Sequence, residues 1–155
     1  MRRVYFSLGS NLGDRREHLA AGVEIVVANE AHRVSSVYET EPVGGVVQEP
    51  YWNMVIEVLT DATAPELLAR AQRAEEARGR VRDVRWGPRT LDVDVLLVGD
   101  ERSDDSELTL PHPRMYERSF VLVPLHELAP ELVTREQLDA GAGAVSRLGT
   151  LDTLR

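Results

Sequence analysis

The sequence holds no cysteine and no lysine; all 18 of its basic residues are arginines. Without cysteine there are no disulfides, no thiolate catalysis and no zinc–sulfur site. Without lysine there is no Schiff-base chemistry, and no lysine of a Walker A loop or a protein kinase. A GC-rich genome that favours arginine codons accounts for the bias, and the exclusions hold whatever its origin. Aromatic residues are only 5% of the chain, so few stacking surfaces exist. No apolar run reaches 18 residues, and no membrane span is expected. The apolar stretch before Gly9 is too short for the core of a signal peptide, which places the protein in the cytoplasm. A net charge of −8 argues against general nucleic-acid binding.

What is present fits one globular unit. Of 155 residues, 43% are hydrophobic, enough to build a core in a single domain spanning 1–155, with the last 25 residues weakly patterned. Residues 4–8 read as a strand ending at Gly9. Asp14 can cap a helix carrying Leu19, Val23, Val26 and Val27 at helical spacing. Residues 33–40 and 51–60 read as strands, with a glycine- and proline-containing loop at 41–50. Thr63 and Glu66 match a capping box that starts a second helix, which Gly79 ends. Residues 81–89 read as an arginine-rich loop, 90–98 as a strand, 99–107 as an exposed acidic turn region and 108–115 as a loop. Residues 118–128 read as a helix stopped by Pro130. The order βαββαβ with additions suits an α+β fold: a ferredoxin-like antiparallel sheet with packed helices, in three α/β/α layers.

The chemistry concentrates between residues 70 and 94. Seven arginines (70, 73, 78, 80, 82, 85 and 89) lie within twenty residues of an acidic chain, which suggests a local anionic ligand. Arg70, Arg73 and Arg78 also fit a solvated helix face paired with Glu75 and Glu76. Downstream, Asp92 and Asp94 share one strand face, with Cβ atoms about 6.5–7 Å apart, while Leu91, Val93 and Val95 point to the core. Aspartate is a poor strand residue, and two on one face repel unless a cation sits between them. A solvated strand face is one reading. A site for Mg²⁺ is the other, because hard carboxylate oxygens suit that ion and guanidinium forks suit the phosphates it accompanies. His112, held between two prolines, is either a phosphate contact or acid, or a loop histidine without a role. His18, His32 and His126 stand alone.

At these residues the chain resembles the 6-hydroxymethyl-7,8-dihydropterin pyrophosphokinases. The resemblance rests on Gly9-Ser10-Asn11-Leu12-Gly13, Tyr38-Glu39-Thr40-Glu41-Pro42, Tyr51-Trp52-Asn53 and Gly79-Arg80-Val81-Arg82. It continues through Arg85-Trp86-Gly87-Pro88-Arg89-Thr90-Leu91-Asp92-Val93-Asp94, Leu110-Pro111-His112-Pro113-Arg114 and Arg118-Ser119-Phe120, and covers residues 4–131. It implies ATP as co-substrate, two Mg²⁺ ions held by Asp92 and Asp94, and AMP as a product. It implies Arg80 and Arg89 as catalytic arginines alongside the aspartates. Gln72, Glu75, Arg82, Trp86, Thr109, His112 and Arg118 are implied on the ATP side, and Thr40, Val43, Tyr51, Asn53 and Phe120 around the pterin. The partners implied are these small substrates alone, with no nucleic acid or membrane, and the chain is expected to be a monomer. Other Asp-x-Asp transferases of the polymerase type place Gly-Ser close before the acid pair, whereas Gly9-Ser10 lies about eighty residues earlier here. An RNA-binding sheet would use Tyr5 and Phe6, against the net charge of −8.

Overall fold

The computed structural model describes residues 1–40, 49–79, 90–141 and 144–154. In chain order the elements are β1 (Arg2–Ser10), α1 (Arg15–Val27), β2 (His32–Val34), β3 (Val37–Thr40), β4 (Tyr51–Thr60), α2 (Ala64–Ala77), β5 (Asp92–Val98), β6 (Ser103–Asp105), β7 (Leu108–Leu110), α3 (Ser119–Leu128), α4 (Arg135–Ala140) and β8 (Val145–Gly149). The main sheet is antiparallel with strand order β5-β1-β4-β3-β8, and β2 also pairs with β4.

Local chemistry sets the helix starts. The Asp14 side chain accepts from Glu17 N, and Thr63 with Glu66 forms the reciprocal capping box expected from the sequence. Gly79, at φ +70°, follows the Arg78 cap of α2. Arg70 pairs with Glu30 at 2.6 Å, and Arg78 Nε donates to His18 Nδ1 at 2.9 Å. These two arginines therefore tie α2 to the first α–β unit, while Arg73 stays exposed. Burial first, and then Arg78, holds the His18 imidazole below its ordinary pKa, in the neutral form that can accept this bond.

The strand expected over 33–40 is split. Val34 faces Ile56 and Tyr38 faces Asn53, so four steps on one chain oppose three on the other. The extra residue is taken up at Ser35-Ser36, where Ser35 Oγ accepts from Val55 N and Ser36 N donates to Glu127 of α3. This bulge turns Tyr38 and Thr40 to the same sheet face as Asn53. A second bulge lies in β5, between the pairs Tyr5–Leu97 and Phe6–Val95. Two further expectations are corrected. The regions assigned to turn and loop at 99–115 contain the hairpin β6–β7, and the weakly patterned end supplies β8, which extends the sheet beside β3. Both gain their pairing from a partner strand, which a short polar segment does not reveal by itself.

The sheet separates two cores. On one face Val4, Phe6, Leu8, Met54, Ile56 and Val58 pack with Leu19 and Val26 of α1 and Leu67, Ala71 and Ala74 of α2. On the other, Tyr5, Val55 and Leu96 pack with Val121, Leu122, Leu125 and Leu128 of α3. Each fully buried large aliphatic or aromatic side chain contributes about 1.5–3 kcal/mol.

Polar anchors fix α3 at its C-terminal end. Tyr5 Oη and Arg33 both donate to the Glu57 carboxylate, at 2.6 Å and 2.7–2.9 Å, and Arg33 also donates to Leu128 O. The Arg33 guanidinium, against the opposing effect of burial, holds the Glu57 carboxyl below the ordinary carboxylate range. That pairing exists only in the folded chain. The stabilisation is therefore complete above the carboxyl's unfolded pKa and is lost as pH falls through the lower folded one. Glu57→Gln should reduce stability at neutral pH by about 1–3 kcal/mol and flatten the loss of stability from neutral pH down through the acid range. Urea unfolding across that pH range checks it; equal slopes for parent and variant would contradict it.

Candidate active site

The sheet lines up one row of residues on the α3 side. Asp92 of β5 is opposite Gly9 of β1, Gly9 is opposite Asn53 of β4, and Asn53 is opposite Tyr38 of β3. Beside it runs a second row, Asp94, Ser7 and Val55. Toward the end of the sheet, Tyr51 faces Thr40. Asp92 and Asp94 are half-buried while Leu91, Val93 and Val95 are buried in the first core, so the alternation expected from the sequence holds.

β5 is the edge of this sheet, and its outward backbone groups are taken by side elements. Val93 N donates to Glu75 Oε2 at 2.9 Å, and His112 N donates to Leu96 O at 2.9 Å. Glu75 is only 6% exposed. Gln72, one turn earlier on α2, is exposed. The two ATP-side residues read on this helix thus have different surroundings, and the Glu75 carboxylate is engaged with the strand that carries the aspartates.

His112 is built as a neutral donor. Its Nδ1 accepts from Arg114 N at 3.2 Å, which leaves the proton on Nε2, 3.8 Å from Asp94 Oδ1. Burial lowers its pKa, with Arg118 and Arg114 adding to the shift and Asp94 opposing it. An uncharged N–H beside a carboxylate can hydrogen-bond a phosphate oxygen without adding a full charge. Asp94, Thr109 and His112 line a single recess of about 180 Å³ together with Leu68, Val93, Val95, Leu108 and Pro113. Thr109 Oγ1 donates to Asp105 O, which holds the hairpin side of that recess.

On the other side of Gly9, Asn53 Nδ2 donates to Thr40 Oγ1 at 2.7 Å, and both residues are buried, at 3% and 6% exposure. A Cβ built on Gly9 would lie 2.7 Å from Asn53 Oδ1 and 3.6 Å from the Tyr51 ring, so the glycine leaves room for both side chains. Thr40, Tyr51 and Asn53 therefore converge. Phe120 stands at the start of α3, half-buried against the second core, with the Arg118 guanidinium 5.5 Å from its ring centroid. Val43, Arg80, Arg82, Trp86 and Arg89 lie outside the described residues. Sequence reasoning treated Gly9 only as part of a turn motif. A glycine inside a strand, where it adds nothing to packing, was the available sign of close approach.

The metal question turns on the donor set. Among the described residues no group of three or more His, Cys, Asp or Glu side chains could enclose an ion. Two carboxylates on one face suit Mg²⁺, which keeps several waters and completes its shell with substrate phosphates. They do not make a closed protein cage.

Chemically, the arrangement offers two carboxylates that suit a hard cation and a neutral N–H that suits a phosphate oxygen, next to a buried amide. The chain belongs to the 7,8-dihydro-6-hydroxymethylpterin-pyrophosphokinase family, whose model matches residues 5–130. It is 46% identical over 132 residues to the 2-amino-4-hydroxy-6-hydroxymethyldihydropteridine pyrophosphokinase of Bacillus subtilis, covering 83% of this chain and 79% of the relative. It is 44% identical over 136 residues to the Methylorubrum extorquens protein of that name, covering 86% of each. With the Pseudomonas aeruginosa protein of that name it shares 42% over 135 residues, 85% of this chain and 83% of the relative. The matched span agrees with the resemblance read from the motifs, and it stops before α4 and β8.

Proposed function

We propose that this chain transfers pyrophosphate from ATP to 6-hydroxymethyl-7,8-dihydropterin, giving AMP and the pterin diphosphate, as a step of folate biosynthesis. The observation that carries this reading is the row Asp92–Gly9–Asn53. It sets a carboxylate and a buried amide on one face, two strand spacings or about 10 Å apart. A bicyclic ring held at Asn53 can reach toward Asp92 with a one-carbon arm, across a floor that Gly9 keeps clear.

Asp92 and Asp94 would hold Mg²⁺, two ions as the resemblance implies, and the metal would neutralise charge on the phosphate oxygens. Neutral His112 donates Nε2–H to a phosphate oxygen, and Thr109 borders the same recess. Glu75 keeps β5 in place. Gln72 and Arg118 complete the ATP side. Asn53 and Thr40 read the pterin edge, and Tyr51 and Phe120 flank its ring. Arg80, Arg82 and Arg89 offset charge on the triphosphate, with Arg80 and Arg89 acting on the charge that migrates. Trp86 covers the nucleotide and Val43 the pterin; these last five roles rest on the resemblance alone. In the reaction the hydroxymethyl oxygen bonds to the β-phosphorus. The bridge between the α- and β-phosphates breaks, AMP departs with the bridging oxygen, and the hydroxyl proton passes to solvent.

We further read the fold as ferredoxin-like and three-layered. Counting β2 and β3 as one bulged strand, the βαββαβ connectivity with order β5-β1-β4-β3 supports it, as do the cores on both sheet faces. A single domain that acts as a monomer in the cytoplasm completes the reading. Among the described residues no helix is long and apolar enough to cross a membrane. Incubation with ATP, Mg²⁺ and the hydroxymethyl dihydropterin should yield AMP and a pterin heavier by one diphosphate in the mass spectrum. ADP or free pyrophosphate in place of AMP would contradict the reaction.

A further inference from the structure

The side chains that face the acceptor are held from behind. Tyr51 and Asn53 project to the α3 face of the sheet, and Trp52 between them projects to the other, where it packs against the first core. There the guanidinium of Arg15, the first residue of α1, lies 4.4 Å from the Trp52 ring centroid. Its Nη1 also donates to Pro50 O at 2.8 Å. Trp52 Nε1 donates to Glu39 Oε2 at 3.3 Å, and Glu39 sits on β3 between Tyr38 and Thr40. Four residues before Arg15, ahead of the helix, Asn11 Nδ2 donates to Glu49 O at 3.2 Å. The segment following β1 thus grips residues 49, 50 and 52 in succession, with the contact to Trp52 on the side of the sheet away from the site.

Such a grip acts on function through geometry. A hydrogen bond weakens steeply as its angle departs from linear, so an amide reads a ligand edge only if its backbone is fixed. The Thr40–Asn53 bond joins β3 to β4 on the site face, and the Glu39–Trp52 bond joins the same two strands on the opposite face. Arg15 closes this second contact by stacking on the indole while bonding the carbonyl just before Tyr51. A guanidinium within about 6 Å of an indole face is attracted to it, and the planar fork of arginine serves ring and carbonyl together.

We propose that Arg15 and Trp52 are positioning residues for the acceptor. They form a clamp that sets the backbone of residues 50–53 so that Tyr51 and Asn53 meet a flat heteroaromatic ring in the right plane, without touching it. This rests on the reading of Tyr51 and Asn53 as pterin residues, and the experiment separates the two.

Pterin affinity is measured by calorimetry with a non-hydrolysable ATP analogue and Mg²⁺ present, and KM and kcat by steady-state assay. The variants are Arg15→Ala, Arg15→Lys, Trp52→Leu, the Arg15→Ala/Trp52→Leu pair, and Asn53→Ala as the test of the pocket itself. Circular dichroism and thermal melts establish that each is folded. Arg15→Ala should weaken pterin binding and raise the pterin KM roughly tenfold, with kcat and ATP affinity within about twofold of the parent. Arg15→Lys should recover only part of the loss, because an ammonium can reach the carbonyl or the ring but lacks the planar fork that serves both. The double variant should lose little more than Arg15→Ala, since both residues act through one contact. A folded Arg15→Ala that binds pterin like the parent, while Asn53→Ala does not, overturns the clamp alone. Equal losses in ATP and pterin affinity, or fully additive effects, overturn it too, by making the residues merely structural. Should Asn53→Ala bind pterin normally, the pocket lies elsewhere and the clamp falls with it.

Discussion

Replacing Asp94 by alanine should lower kcat by about a thousandfold, the scale of losing a preorganised charged group at a reacting centre, and leave the fold intact. Its side chain is 45% exposed and projects away from the first core, so no packing is lost. Stability should stay within about 0.5 kcal/mol of the parent, as for surface changes generally. Without a cation, the Asp92–Asp94 repulsion across about 7 Å is on the order of 0.6 kcal/mol in a water-like medium. Removing one charge can therefore raise the melting temperature slightly. Asp94→Asn is the sharper variant, since it keeps the shape and the nearby His112 but not the charge. It should be as inactive as Asp94→Ala if the carboxylate holds a metal. Turnover by mass spectrometry and melting by circular dichroism decide it, and near-parental turnover in a folded Asp94→Asn would remove the assignment.

The aspartate pair was legible because its signal is local. Apolar residues at 91, 93 and 95 alternate with charges at 92 and 94, and the strand pairs in that register, with the apolar set in the first core and the aspartates on the opposite face. The boundaries of β4 and the start of α2 were legible for a similar reason: a ten-residue stretch rich in aromatic and β-branched residues ends shortly before the Thr63–Glu66 capping box. Where the sequence misled, the deciding partner is remote. Glu75 reads as one charge on a solvated helix, and it becomes a buried carboxylate only because α2 lies against the outward N–H of Val93. Ser35 and Ser36 give no sign of a bulge until Val55 and Glu127 engage them. β8 has a short mixed sequence and becomes a strand because β3 offers it an open edge. Arg15 and Trp52 sit 37 residues apart, and neither hints at the other.

At the acceptor, Asn53→Ala should weaken pterin binding by about ten- to a hundredfold, the effect of leaving a ligand's polar edge without its partner, and leave ATP affinity nearly unchanged. The amide is well placed for such an effect. It is buried, and its Nδ2 is committed to Thr40, so its remaining capacity faces along the row toward Gly9. Gly9 supplies an independent handle on the same group. Its φ is not in the left-handed region, so alanine meets no backbone strain there and acts through the added methyl alone. That methyl would stand 2.7 Å from Asn53 Oδ1. The amide must shift to make room, which disturbs its bond to Thr40, so Gly9→Ala should lose pterin affinity on the scale of Asn53→Ala although no polar group has been removed. In the Asn53→Ala background the methyl no longer meets the amide, so the further loss from Gly9→Ala shrinks to what its contact with the ligand on the same floor costs. This non-additivity is the decisive quantity. Calorimetry of the two single variants and the double, each with an ATP analogue bound, measures it. Independent, additive losses would mean that Gly9 acts on something other than the amide, and a parental affinity in Gly9→Ala would mean that the ring does not rest on this row.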